Sequence, residues 1–239
     1  MALQERAIRT RRAILVAAAA VFAEVGYEAA TISEILSRAD VTKGALYFHF
    51  ASKEELAQAV LSGQLAAVPS APQQKLSLQR GLDEAFLIAH LLASGDPVVR
   101  GSIRLTVDQG SPNDGLDRRV PMDAWLQFNV ELLGKAKENG ELLPHVEVAE
   151  AARMLVGAFT GVQVLSKIMT DHADLTERVS DLYRHLLASI AVPAVLTQLD
   201  TAADRGARVY EAAVRLRDAG EESEPGTSGA PSEESRVTG

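Results

Sequence analysis

The 239-residue chain contains no cysteine, which excludes a disulfide framework, Cys-ligated zinc, an iron–sulfur cluster and a cysteine nucleophile, and suits a reducing compartment. Aromatic residues make up only 5% of it, with a single tryptophan. Against an Ala- and Leu-rich background, that scarcity disfavours a β-sandwich or barrel and favours helix. Excess positive charge is also missing: 24 Lys and Arg against 32 Asp and Glu leave a net charge of −8, wrong for a protein that coats nucleic acid non-specifically. Catalytic signatures are lacking too, with no nucleophile elbow, phosphate-binding or dinucleotide-binding glycine loop, HExxH helix or EF-hand loop. The five histidines, His49, His90, His145, His172 and His185, are scattered without metal-ligand spacing. Neither an enzyme, a metal site nor a cofactor is expected.

Length allows one large or two small domains with a proper apolar core. Arg6, Arg9, Arg11 and Arg12 precede the apolar run Ala13–Ala23, a layout that mimics an export signal. The same run carries Ile14, Ala18, Val21, Phe22 and Val25 on one face of a 3.6-residue period, so we read it as an amphipathic helix of a cytoplasmic protein. It is also far shorter than the ~20 residues that cross a bilayer, and no membrane partner is expected.

Helical patterns continue with clear punctuation. Gly26-Tyr27 ends the first helix, Thr31-Ile32-Ser33-Glu34 and Ser52-Lys53-Glu54-Glu55 are capping boxes, and Thr42 caps a further helix between them. After a linker containing Pro69 and Pro72, the spacing predicts helices near 76–94, 97–108, 121–139, 146–169, 174–191 and 194–217. From Asp218 six acids among Gly, Ser, Pro and Thr face one basic residue, Arg236, a composition that predicts a disordered acidic tail over 218–239.

Residues 1–60 balance seven basic against seven acidic groups, so the rest of the chain carries the whole net charge. Within this neutral segment lies Thr31–Phe50, TISEILSRADVTKGALYFHF. Ile32, Ile35, Leu36 and Ala39 give one helix a buried face; Ala45, Leu46 and Phe50 seat a second; a three- to four-residue turn joins them. That is a helix-turn-helix. The second helix opens with Thr42, Lys43 and Gly44, small or cationic groups at an end whose free N–H groups suit a phosphate or base edge. Gly44 costs a helix about 1 kcal/mol relative to Ala, which suggests close approach of something to the backbone. Lys43 can reach guanine, while Ser33, Tyr47, His49, Lys53 and the N-terminal arginines suit phosphate. Taken singly, Tyr47 and Phe48 also read as core aromatics, His49 as a surface histidine and Lys53 as a solvated residue in a capping box.

The first 65 residues resemble the DNA-binding domain of the TetR family of transcriptional regulators, VTKGALYFHFASKEEL being a near-complete form of that family's signature. More narrowly, LQERAIRTRRAIL, GALYFHF and the lone Trp125 in PMDAWLQF resemble the γ-butyrolactone receptor branch. One departure is Asp40, where the family usually has Gly in the turn; Asp tolerates a left-handed conformation, so the turn is expected to survive.

The resemblance implies an all-α fold: a helix-turn-helix domain over 1–52, a connecting helix and linker over 53–75, and a ligand-binding and dimerisation domain over 76–217. It implies a homodimeric repressor of a pseudo-palindromic operator in double-stranded DNA, released by a small γ-butyrolactone-type signal. The residues it assigns to DNA are Arg6, Arg9, Arg12, Thr31, Ser33, Thr42, Lys43, Gly44, Ala45, Tyr47, His49 and Lys53. For the ligand it points to Trp125, Thr160 and Gln64; Gln163 is added as a polar residue in the apolar run MLVGAFTGVQVL, and Phe86 from its place on the face Leu78, Leu82, Phe86, Ala89. Gly157 and Gly161, one helical turn apart, would allow close helix approach. A pseudo-receptor, a regulator answering a butenolide, furan or antibiotic, and a DNA-binding regulator without any small-molecule ligand all share the same reading head and stay open.

Overall fold

The computed structural model describes residues 2–63, 68–108 and 114–223. Among the described residues the fold is all-α, as the sequence predicts, with one isolated antiparallel bridge between Leu142 and Ala191.

Four helices build the N-terminal head: α1 (Ala2–Ala29), α2 (Ile32–Ala39), α3 (Lys43–His49) and α4 (Lys53–Ser62). α1 kinks at Gly26, whose φ of 78° lies where side-chain-bearing residues are strained. The three caps form as expected: the hydroxyls of Thr31, Thr42 and Ser52 accept the backbone N–H groups of Glu34, Ala45 and Glu55 at 3.2, 3.2 and 3.0 Å. Glu55 reaches back past the cap, accepting the N–H of Ala51, the residue before Ser52, at 2.6 Å, rather than the N–H of the cap residue itself as in a regular capping box. Asp40 adopts φ 51°, ψ 48°, so the turn survives its missing glycine in the left-handed conformation.

Ile14, Phe22, Ile35, Leu46 and Phe50 are buried together, each contributing about 1.5–3 kcal/mol by burial. Leu56, Ala57, Val60 and Leu61 of α4 belong to the same core. The helix expected to connect two domains is therefore a member of the head.

The body comprises α5 (Ser77–Ser94), α6 (Pro97–Val107), α7 (Arg119–Glu138), α8 (Val148–Thr170), α9 (Leu175–Ile190), a single turn α10 (Pro193–Leu196) and α11 (Arg205–Ser223). α5 lies at its centre, packed against α7, α9 and α11. No side chain of its own caps α5; the buried carboxylate of Glu141 accepts the N–H groups of Ser77 and Leu78, both at 2.8 Å. Asp83, fully buried on α5, takes two hydrogen bonds from Arg205 at 2.8 and 2.7 Å, which fastens α11 to the core.

Two expectations about the C-terminus need correction. The helix foreseen over 194–217 is broken, because Gln79 holds the backbone of Asp200 from both sides, accepting its N–H at 2.7 Å and donating to its carbonyl at 3.3 Å. That grip turns the chain before helix resumes at Arg205. α11 then continues to Ser223, into the stretch assigned to a disordered tail, since Ala219, Glu221 and Glu222 are good helix formers. The remainder of that tail, 224–239, lies outside the described residues.

α6 belongs to both halves. Val99 and Ile103 enter the core of the body, whereas Leu105 is buried in that of the head and Val98 packs against it. Its backbone meets α1 at Gly101, where a Cβ atom would collide with the carbonyl of Ala19. One turn on, the Arg104 guanidinium donates to the carbonyl of Ala23 at 2.7 Å. A second strap ties α4 to the segment before α7: the Gln58 side chain accepts the N–H of Asp117 at 3.0 Å and donates to its carbonyl at 3.4 Å.

Candidate nucleic-acid interface and ligand cavity

The head presents α3 outward. Thr42, Lys43 and Gly44 are exposed at its start and Ala45 is half-buried. A Cβ at Gly44 would have only the Thr42 hydroxyl near it, at 4.0 Å. Among the described residues nothing requires glycine there. Tyr47 is exposed with the Lys43 ammonium 5.8 Å from its ring centre, and the half-buried His49 stacks edge-on against Phe48 at 5.0 Å.

Thr31 and Ser33 are exposed at the start of α2, and Arg6, Arg9 and Arg12 along α1. Arg11 sits 5.0 Å over the ring of Phe50, which brings the N-terminal turns of α1 beside the end of α3. Lys53 is differently employed: its ammonium lies 4.5 Å from the Tyr27 ring centre and donates to the carbonyl of Glu28 at 3.4 Å. Burial pushes its pKa down, as expected for a cation drawn into the α1–α4 joint. The core-aromatic reading of Tyr47 and Phe48 is corrected: both are exposed, Phe48 to 80%. The signal was present, because burying Leu46 and Phe50 at i and i+4 turns position 48 outward. An exposed ring on a helix sized for the major groove can contact thymine methyl groups.

The body holds a cavity, open at its mouth, bounded by α5, α6, α7, α8 and α9, with a volume of about 50 Å³ accessible to the centre of a water-sized sphere. Trp125, Thr160 and Gln163 line it together, although they come from α7 and α8. Trp125 packs edge-to-face on Phe128 at 5.9 Å. Phe86 does not line the cavity. It is fully buried beside Tyr183, 6.2 Å between ring centres, on the side of α5 that meets α9. Gly81, Glu84, Ala85 and Ile88 form the α5 wall in its place. Gln64 lies outside the described residues.

Several wall residues, Met122, Phe128, Asn129, Phe159 and Glu84 among them, were not anticipated. Met122, Phe128 and Asn129 follow from stepping about one helical turn along from Trp125, and Phe159 from stepping one turn back from Gln163.

The polar groups of this wall are partly committed. Thr160 donates to the Val156 carbonyl at 2.8 Å, Thr106 to that of Ser102 at 2.8 Å, and Asn129 to that of Trp125 at 2.9 Å. Gln163 is only 4% exposed and its Oε1 has no hydrogen-bond partner. Burial holds the Glu84 carboxyl above the usual carboxylate range, opposed by a hydrogen bond from the backbone of Ala71 and the charge of Arg80.

The outer face of α8 is apolar and unpartnered. Leu165, Ile168 and Met169 are exposed, and a Cβ at Gly157 or Gly161 would meet nothing within 4 Å. By length and composition α8 could cross a membrane, but its other face lines the cavity. Among the described residues no cluster of acids and histidines could hold a metal ion.

A helix-turn-helix head locked to a helical body with an apolar cavity defines a class: DNA-binding transcriptional regulators. Residues 14–60 match the family described as bacterial regulatory proteins, tetR family. Over 206 residues the chain is 39% identical to the A-factor receptor protein of Streptomyces griseus, spanning 83% of this chain and 70% of that one. The crystal structure of full-length native TylP, a TetR regulator from Streptomyces fradiae, superposes with a TM-score of 0.84 at 60% identity, covering 88% of this chain and 100% of that one. A γ-butyrolactone receptor described as ArpA-like gives a TM-score of 0.60 at 28% identity, covering 89% and 99%. The chain belongs to the TetR family and is a regulator of the A-factor-receptor-like kind.

Proposed function

We propose that the protein is a homodimeric, cytoplasmic repressor that leaves a pseudo-palindromic operator when a γ-butyrolactone-type molecule enters the cavity beside Trp125. Support comes from the similarity to the A-factor receptor and to the ArpA-like γ-butyrolactone receptor, and from one structural observation above all. The helix that supplies Ile103 and Thr106 to the cavity wall, α6, is the helix whose backbone touches α1 of the head. A ligand that displaces this wall displaces the head. There is room for it to move, because a crevice bounded by α1, α6 and α8 shares Ile103 and Gln163 with the cavity.

Two heads on one dimer can read half-sites about one helical turn apart, or a multiple of it, only while their spacing is kept. Coupling is reciprocal: if ligand weakens operator binding, operator weakens ligand binding by the same factor, typically 5–150-fold.

The single tryptophan makes the test direct. Titration with γ-butyrolactones, butenolides and furans should give saturable quenching of Trp125 by the lactone class at submicromolar concentration, and the same compounds should release operator DNA. Trp125→Ala should retain operator affinity within about threefold and lose ligand-induced release. Equal loss of both would remove the cavity from the mechanism.

A further inference from the structure

We infer that Glu84, with Gln163 as a second acceptor, selects a ligand that presents a free hydroxyl group. The inference rests on the reading of the cavity as a lactone site and names what that site recognises.

The wall is rich in acceptors. Thr106 and Thr160 spend their one hydroxyl donor on backbone carbonyls of their own helices, leaving oxygen lone pairs as their remaining capacity, while Asn129 spends one of its two amide N–H donors in the same way and keeps its oxygen. Gln163 contributes a buried, unpartnered Oε1, and Glu84 contributes a carboxylate that receives one backbone hydrogen bond. Side-chain donors of the wall reduce to the Trp125 indole, the Tyr183 hydroxyl, the Gln163 amide and the second amide N–H of Asn129.

A carboxylate among apolar and aromatic side chains is costly unless its oxygens are satisfied. The arginine nearest in effect, Arg80, is absent from the lining, and the neighbouring acid Asp83 is consumed by Arg205. Glu84 is therefore the charged group of the wall left with capacity for a donor from inside the cavity. An ammonium ligand would have to be desolvated against a single carboxyl whose ionised form burial already disfavours. A neutral hydroxyl gives up much less hydration and can donate to a carboxyl oxygen in either protonation state of Glu84. The unpartnered oxygen of Gln163 independently calls for the same chemistry: a donor.

The test pairs two probes with three proteins. A γ-butyrolactone carrying a free side-chain hydroxyl, and its O-methyl ether, are titrated against wild type, Glu84→Leu and Glu84→Gln by Trp125 fluorescence, with circular dichroism melts establishing that each variant is folded. Wild type should bind the alcohol at least about tenfold more tightly than the ether. In Glu84→Leu the preference should fall below about threefold, the ether binding as it does to wild type. Glu84→Gln, which keeps an acceptor without the charge, should lie between. A preference undiminished in folded Glu84→Leu and Glu84→Gln overturns the role of Glu84 while leaving the lactone site intact. Failure of wild type to bind either probe overturns the lactone site itself, and the inference with it.

Discussion

His172 shows how one side chain can set a pH limit. It lies in the turn between α8 and α9 at φ 71°, buried, with Nδ1 unpartnered. Burial, reinforced by the charges of Arg100 and Lys167, pushes its pKa down to about 4. Because the folded value lies below the ordinary one, the stability that depends on neutral His172 is fully present above about pH 6.5 and is lost as pH falls towards 4. Urea unfolding should lose about 1–3 kcal/mol across that interval. His172→Asn, which tolerates the left-handed turn, should flatten the slope; an unchanged slope would assign it to other groups.

The same scale shows what could be read from sequence. Asp40 was legible because one residue determines its own backbone conformation. Lys53 was not, because its partners Tyr27 and the Glu28 carbonyl lie on another helix, and Phe86 was assigned to the right helix but to the wrong side of it.

Among the elements, α6 carries the connection between halves. The missing side chain of Gly101 lets two backbones touch. Gly101→Val should lower stability by about 1–3 kcal/mol or more through overpacking against Ala19, and should blunt ligand-induced operator release. Thermal melts and release assays on the same preparation check both. A variant with wild-type stability and release would show that α1 and α6 need no such closeness.

Helix existence and order were legible because periodicity, caps and breakers act within a few residues. The break between α10 and α11 was not: the glutamine that causes it, Gln79, is 121 residues away from Asp200. Long-range hydrogen bonds leave no local mark.

For the whole molecule, the distribution of charge and apolar surface matters more than either total. The net negative charge carried by the chain beyond the head discourages indiscriminate attachment to DNA, and we propose the exposed apolar face of α8 as the seam for a second copy. Ile168, 72% exposed, lies on that face. Ile168→Lys should convert the dimer to monomer in sedimentation experiments and weaken operator binding by about 100-fold or more, since a single head reads only a few base pairs. A monodisperse dimer with full operator affinity would place the seam elsewhere.

The cavity was the least legible part, because its wall is assembled from five helices. Trp125 and Thr160 were found by resemblance, and Glu84 was passed over because an acid in a helix ordinarily reads as solvated surface.

The sharing of α6 between two cores also limits how such regulators can be recombined. A chimera cut in the linker would graft a head lacking Leu105 and Val98 onto a helix fitted to a different α1, and both partners of the Gly101–Ala19 contact would have to match by chance. Retargeting this protein to a new promoter is therefore better done by recoding the exposed surface of α3, residue by residue, than by exchanging modules. Any transplant that succeeds should be one that carries residues 97–118 along with the donor head.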